Sequence, residues 1–255
     1  MKSYRVPQTA QQYTHYDMIQ RHTELPPFAD ARGALLYAFV SCGSRVPSTN
    51  REELAELYAL VTGLVQLGLD THEEIERPAL GSGEEAMRSR QLKVLAGDYF
   101  SSWFYRLLAE KGEIERVGSL SEAIAEYNVK KAELYGEGSR APEGEARMEM
   151  LAELNTVLFR SFTPLIGASY QELWLSLLRE LGLYEALAWE ERNKTEPDAG
   201  DEMRERLSDK LRESRERIAA RVAGVREEAL RSALELALGA WIAQPARTEQ
   251  ASGEA

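Results

Sequence analysis

"QLKVLAGDYFSSWFYRLLAE", residues 91–110, is the stretch whose reading decides the fold. Gly97 and Asp98 stand in the middle of an apolar, aromatic run. The interior of a buried helix normally avoids both. Glycine costs about 1 kcal/mol relative to alanine there, and an unpaired carboxylate taken out of water costs far more. On this reading Asp98 is a buried carboxylate that must find a hydrogen-bond donor.

Helix signals continue on both sides of this run. Before it, Ser82 and Glu85 have capping-box spacing, and after it Gly112 is a plausible stop. Upstream, "STNREELAELYALVTGLVQLGL" opens on Asn50 with Glu53 three residues on, then carries Leu54, Leu57, Leu60, Val61, Leu64 and Val65 along one helical face. Downstream, "SLSEAIAEYNVKKAELYGEG" repeats the box with Ser119 and Glu122, and "GEGSRAPEGE" reads as a link. Two further helical stretches follow, "ARMEMLAELNTVLFRSF" and the segment from Leu165 to Asn193. After the polar "KTEPDAGD", a charged C-terminal stretch has apolar residues stepping from Leu207 to Trp241. No alternating strand pattern and no internal repeat occur. The sequence predicts an all-α bundle of eight to ten helices, a single domain over residues 1–243 with a disordered tail at 244–255.

Composition narrows the function. The chain has 255 residues, 44% hydrophobic and 29% charged, with a formal charge of −11 from 31 basic and 42 acidic residues. At this length about 70–75% of the unfolded surface can be buried. The acidic balance makes nucleic acid and anionic membrane poor partners for the surface as a whole. Cys42 is the only cysteine, which excludes an intramolecular disulfide and suits a reducing, cytoplasmic compartment. The N-terminal residues have no signal-peptide core, and "GALLYAFVSCG" is about half the length that crosses a bilayer. Ordinary catalytic signals fail. "GSGEEA" follows no strand, His15, His22 and His72 lack zinc-ligand spacing, and Cys42 has no nucleophile signature around it.

The Gly97–Asp98 pair gains meaning from a resemblance. Residues 91–110 are similar to the helix of trans-prenyl diphosphate synthases that carries "V-L-x-G-D-[FY]", where the glycine lets helices approach closely and the aspartate lies near the central cavity. "LVQLGLDTHEEIERP" sits where those enzymes have "L-I-H-D-D-x-x-D" and then arginines, "NTVLFRSFTPLIGASY" where they have "K-T-A-x-L-F" and a "G-A" pair, and "LRELGLYEALAWEERN" where they have "G-x-A-F-Q-x-x-D-D-x-x-D". The resemblance covers roughly residues 25–195 and implies an isoprenoid-synthase-like helical bundle. Catalytic members hold Mg²⁺ between two aspartate clusters and use it to release diphosphate.

Here both clusters are degenerate. The first keeps Asp70, Glu73, Glu74 and Arg77, but Thr71 replaces its second aspartate. The second keeps Glu190 and Glu191 behind Trp189, and Asn155 replaces the lysine of "K-T". "LGLDTHEEI", "RQLKVLAGDYFSSWFYRLLAEKGEI" and "AIAEYNVKKAELY" bring the sequence closer still to the small, non-catalytic subunits of bacterial two-component heptaprenyl diphosphate synthases, called component 1. That resemblance implies a cytoplasmic chain, inactive alone and with no cofactor of its own, which activates a catalytic component 2. The partner holds Mg²⁺ and elongates farnesyl diphosphate with isopentenyl diphosphate for menaquinone side chains. Prenyl diphosphate contact by this chain is a further expectation. Gly97, Asp98 and Tyr99 are then the structural and cavity positions, and Phe100, Ser101, Ser102 and Phe104 candidates for a wall that sets chain length. The alternative is a stand-alone prenyltransferase or terpene-type enzyme with a reduced Mg²⁺ site at Asp70 and Glu74.

Overall fold

The computed structural model describes residues 4–75, 83–135, 142–194 and 201–242. Ten α-helices occur among them: α1 (Val6–Thr14), α2 (Asp17–His22), α3 (Asp30–Gly43), α4 (Arg51–Glu73), α5 (Glu84–Glu110), α6 (Ile114–Leu134), α7 (Gly144–Arg160), α8 (Gln171–Lys194), α9 (Asp201–Ala223) and α10 (Glu228–Ile242). The described residues contain no strand, only an isolated antiparallel bridge between Ser44 and Ile166. The fold is all-α. The chain groups into two compact units, Met1–Tyr37 with Val46–Ser121, and Ala38–Arg45 with Glu122–Ala255. The tail expected at 244–255 lies outside the described residues.

In the first unit α4 is the central element. An unbroken run from Leu57 to Gly68 is buried, so the helix is covered on every side and has no polar face to give to solvent. Its polar side chains must find partners inside. Thr62 and Thr71 therefore donate their hydroxyls to the carbonyls of Tyr58 (2.7 Å) and Leu67 (2.6 Å), one turn back. Tyr58 donates to the Glu113 carboxylate at 2.6 Å. Burial first, and then this carboxylate, push the phenol above its ordinary range. Glu113 is in place because α5 ends in a Schellman turn. Gly112 adopts φ +74°, its N–H donates to Ala109 O (3.0 Å), and Glu113 N–H donates to Leu108 O (2.9 Å).

The α4–α5 contact rests on two glycines. A Cβ on Gly68 would stand 2.6 Å from the carbonyl oxygen of Gly97 and 3.0 Å from the Ser101 Cβ, and one on Gly97 would meet the His72 ring and lie 2.9 Å from the Gly68 carbonyl oxygen. Either addition pushes backbone against backbone. Beneath this crossing Phe100 and Ala96 of α5 pack with Leu67 and Ile19.

In the second unit α7, α8 and α9 pack in sequence. Gly182 of α8 lies against the Ala152 carbonyl and the Thr156 methyl group, where an added Cβ would be 2.5 and 2.6 Å from them. Trp174, fully buried, stacks edge-on against Phe39 at 5.4 Å and donates its indole N–H to the Thr163 hydroxyl at 3.0 Å. Glu180, nearly buried, accepts from Arg217 Nε at 3.0 Å and so ties α8 to α9. The apolar steps from Leu207 onward do not run through one helix. They break at Gly224, whose N–H caps α9 on Ala220 O at 3.1 Å.

Two capping expectations fail. Asn50 is the N-cap of α4, but its side chain makes no capping bond. Ser119 does not start a helix: α6 already begins at Ile114, directly after the Gly112 turn, and the Ser119 hydroxyl donates back to Glu115 O at 2.9 Å. Ser82 lies outside the described residues, and α5 has Gly83 as its N-cap.

Two alanine substitutions of helical glycines separate close approach from helix propensity. Gly97→Ala overpacks the α4–α5 crossing and lowers unfolding free energy by about 1–3 kcal/mol. Gly118→Ala meets nothing within 4 Å in the interior of α6, so it raises stability by about 0.5–1 kcal/mol. Urea denaturation followed by circular dichroism reads both signs.

Candidate functional site

The first acidic cluster lies on the last turn of α4 and is built into the first unit. Asp70, half-buried, accepts from Gln66 Nε2 at 2.7 Å, and Gln66 in turn accepts from Arg32 Nη1 at 3.1 Å. Thr71 is fully buried. His72 folds over Gly97, with Nε2 3.2 Å from the Val94 carbonyl oxygen and 3.5 Å from Asp98 Oδ1. Lys93 Nζ donates to the backbone carbonyl of Glu74 at 3.3 Å. Glu73 and Glu74 are half-buried. Arg77 lies outside the described residues.

Asp98 corrects a sequence expectation. It is not a buried carboxylate: its side chain is 68% exposed. On α5 the 3.6-residue period turns Ala96, Gly97, Phe100, Phe104 and Leu108 inward, while Leu95, Asp98, Tyr99, Ser102 and Tyr105 fall on the outer side. The anomaly of a carboxylate in an apolar run is thus an outer-face aspartate among exposed apolar side chains. Tyr99, 38% exposed, packs edge-on against Phe100 and Trp103. Phe100 and Phe104 are core residues. Ser101 faces Gly68, and Ser102 is exposed with its hydroxyl on Tyr99 O at 2.8 Å. A cavity of about 280 Å³ in the first unit is lined by Pro7, Ala10, Leu25, Phe28 and Leu67 among others, and by none of these four wall candidates.

The second acidic cluster belongs to the other unit. Trp189, Glu190 and Glu191 are half-buried on the last turns of α8. Asn155 on α7 donates Nδ2–H to the Gly182 carbonyl at 3.1 Å, where Gly182 lets α8 come close to α7. The resemblance puts a diphosphate-contacting lysine at the position of Asn155. In this chain Asn155 instead bonds the backbone of Gly182, a helical glycine 27 residues on.

These donors do not fit the Mg²⁺ clamp that catalytic prenyl synthases imply. Mg²⁺ needs several oxygen ligands in near-octahedral order. Among the described residues no group of three or more His, Cys, Asp or Glu side chains is placed to hold a metal ion. The middle of the first cluster is a core threonine, and its first carboxylate is engaged by Gln66.

Restoring an aspartate at the second position of the first cluster therefore does not restore a metal site. Thr71→Asp places a carboxylate in the core and costs about 3–5 kcal/mol, whereas the isosteric Thr71→Val stays within about 1 kcal/mol of wild type. Chemical denaturation with and without millimolar Mg²⁺ checks both, with no rescue of Thr71→Asp by the metal.

The described helices include none long and apolar enough to cross a membrane. Comparison with known proteins places the chain further. Residues 16–236 match the family model of heptaprenyl diphosphate synthase (HEPPP synthase) subunit 1. A curated relative, heptaprenyl diphosphate synthase component 1 from Geobacillus stearothermophilus, is 41% identical over 81 residues, which are 32% of this chain and 34% of the relative. The match thus spans about a third of the length of that relative. Among solved structures, a mint deletion mutant of heterotetrameric geranyl pyrophosphate synthase in complex with ligands superposes with a TM-score of 0.48 at 18% identity, covering 92% of this chain and 91% of that one. With a family match that runs from α1–α2 to the middle of α10, the chain belongs to the heptaprenyl diphosphate synthase subunit 1 family.

Proposed function

We propose that this chain is the non-catalytic subunit of a cytoplasmic heptaprenyl diphosphate synthase: it binds and activates a catalytic partner that elongates farnesyl diphosphate with isopentenyl diphosphate, for menaquinone side-chain synthesis. One observation carries the reading. Positions where catalytic relatives would place metal and diphosphate ligands are here spent on helix packing: Thr71 in the core, Asn155 on the Gly182 carbonyl, Asp70 on Gln66. A chain committed in this way has little left to grip a diphosphate, and its contribution lies in what it presents to a partner.

The outer face of α5 supports that second half. Met87, Val94, Leu95, Tyr99 and Tyr105 recur at helical spacing and are all exposed, Leu95 at 64% and Tyr105 at 54%. An apolar, aromatic stripe of this kind is costly in water and is typical of a subunit interface core. The occupant that fits is the catalytic subunit. Asp98 and Arg106, exposed on the same side, add charged groups among the apolar ones. Ser102 stands on the same face, so influence of this chain on product length would pass through the paired surface.

The test is to assay this chain, a matching catalytic subunit and their mixture with Mg²⁺, farnesyl diphosphate and isopentenyl diphosphate. Only the mixture makes long-chain product; product from this chain alone overturns the reading. Leu95→Glu with Tyr105→Glu weakens association of the two subunits by about tenfold or more, as charges in an interface core do, without lowering the melting temperature of the free chain. Sedimentation or titration calorimetry measures the first, thermal denaturation the second. Ser102→Phe in the assembled pair shifts products to shorter chains on reverse-phase chromatography after dephosphorylation.

A further inference from the structure

Arg32 of α3 is 4% exposed, and Gln66 of α4 is 1% exposed. A guanidinium cannot shed its proton at any ordinary pH, so once buried it keeps its charge and needs compensation. Gln66 links it to an anion because an amide has one end of each kind. Its carbonyl accepts from Arg32 Nη1 at 3.1 Å, and its NH₂ donates to Asp70 Oδ1 at 2.7 Å. The orientation is forced, since reversing the amide would set N–H against N–H and carbonyl against carboxylate. Asp70 follows Gln66 at i+4, on the same side of α4 and one turn nearer its end.

We propose that Asp70 is a positioning residue, the anionic end of a buried Arg32–Gln66–Asp70 relay that locks α3 to the last turns of α4, and not a ligand for a cation. The relay explains why an acidic residue is useful at a position whose neighbours no longer form a metal clamp. Each bond polarises the next, so the charge at one end strengthens the contact at the other. What the relay holds still is the turn from which His72 covers Gly97 and Glu74 receives Lys93. The seating of the middle of α5, at Lys93, Val94 and Gly97, therefore depends on the carboxylate at position 70.

The experiment is a mutant cycle on the free full-length chain, so its outcome does not depend on the partner reading. Arg32→Met and Asp70→Ala are each expected to lower the folding equilibrium constant by about tenfold or more, as breaking a buried charged network does. Asp70→Asn, which keeps an acceptor for Gln66, recovers most of the loss. The Arg32→Met/Asp70→Ala double variant loses far less than the product of the two single effects. Gln66→Leu removes the bridge, and in that background Asp70→Ala adds less than about twofold; this pair reads the coupling even if Arg32→Met does not fold. Single effects that multiply to within about twofold, in either background, overturn the relay. So does stabilisation of the wild type by millimolar Mg²⁺ that Asp70→Asn abolishes, since a ligand raises stability only of a state that binds it.

Discussion

The close approach of α4 and α5 at Gly68 and Gly97 is the constraint on which the first unit depends. Two backbones meet where each glycine would drive a Cβ into the carbonyl of the other. That geometry brings Phe100 and Ala96 onto Leu67 and Ile19, leaves room for the His72 ring over Gly97, and fixes which side of α5 faces out. Helical glycines carry a propensity cost, and here close packing offsets it. The exposed apolar stripe follows from the same rotation, because a helix seated on its glycine face presents Leu95, Tyr99 and Tyr105 to the outside.

The second unit repeats the solution with different chemistry. Gly182 lets α8 approach α7, and Asn155 seals the crossing by donating to the glycine's own carbonyl. In both units residues at the motif positions that the resemblance marks are packing or hydrogen-bonding residues of helix pairs. Thr71, with its hydroxyl returned to Leu67 O, and Asn155 are both of this kind.

Local signals were legible to unequal degrees. The Gly112 stop is plain in the sequence, because a C-terminal turn needs a positive φ that glycine adopts freely. The Ser119 box was misleading: a helix interior accepts a serine that bonds one turn back, and the Gly112 turn together with Glu113 on Tyr58 had already set the start of α6. Asn50 stood at the right position without using its side chain. The apolar steps after Leu207 hid the break at Gly224, since the spacing of core residues barely changes across a short interruption.

By itself the sequence determined the helical class, because apolar spacing and caps are properties of neighbouring residues. It also determined which residues stand at the positions the resemblance marks, because the identities of Thr71, Asn155 and Trp189 are read directly. Tertiary structure alone decided the rest. Asp98 looked buried because its neighbours are apolar, yet burial depends on which face another helix covers, and Gly68 covers the other face. The link from Arg32 to Asp70 joins residues 38 positions apart through an amide whose direction only the folded pair can set. Long-range partners of this sort leave no periodic trace in the chain, so they appear only when Arg32 is brought beside Gln66.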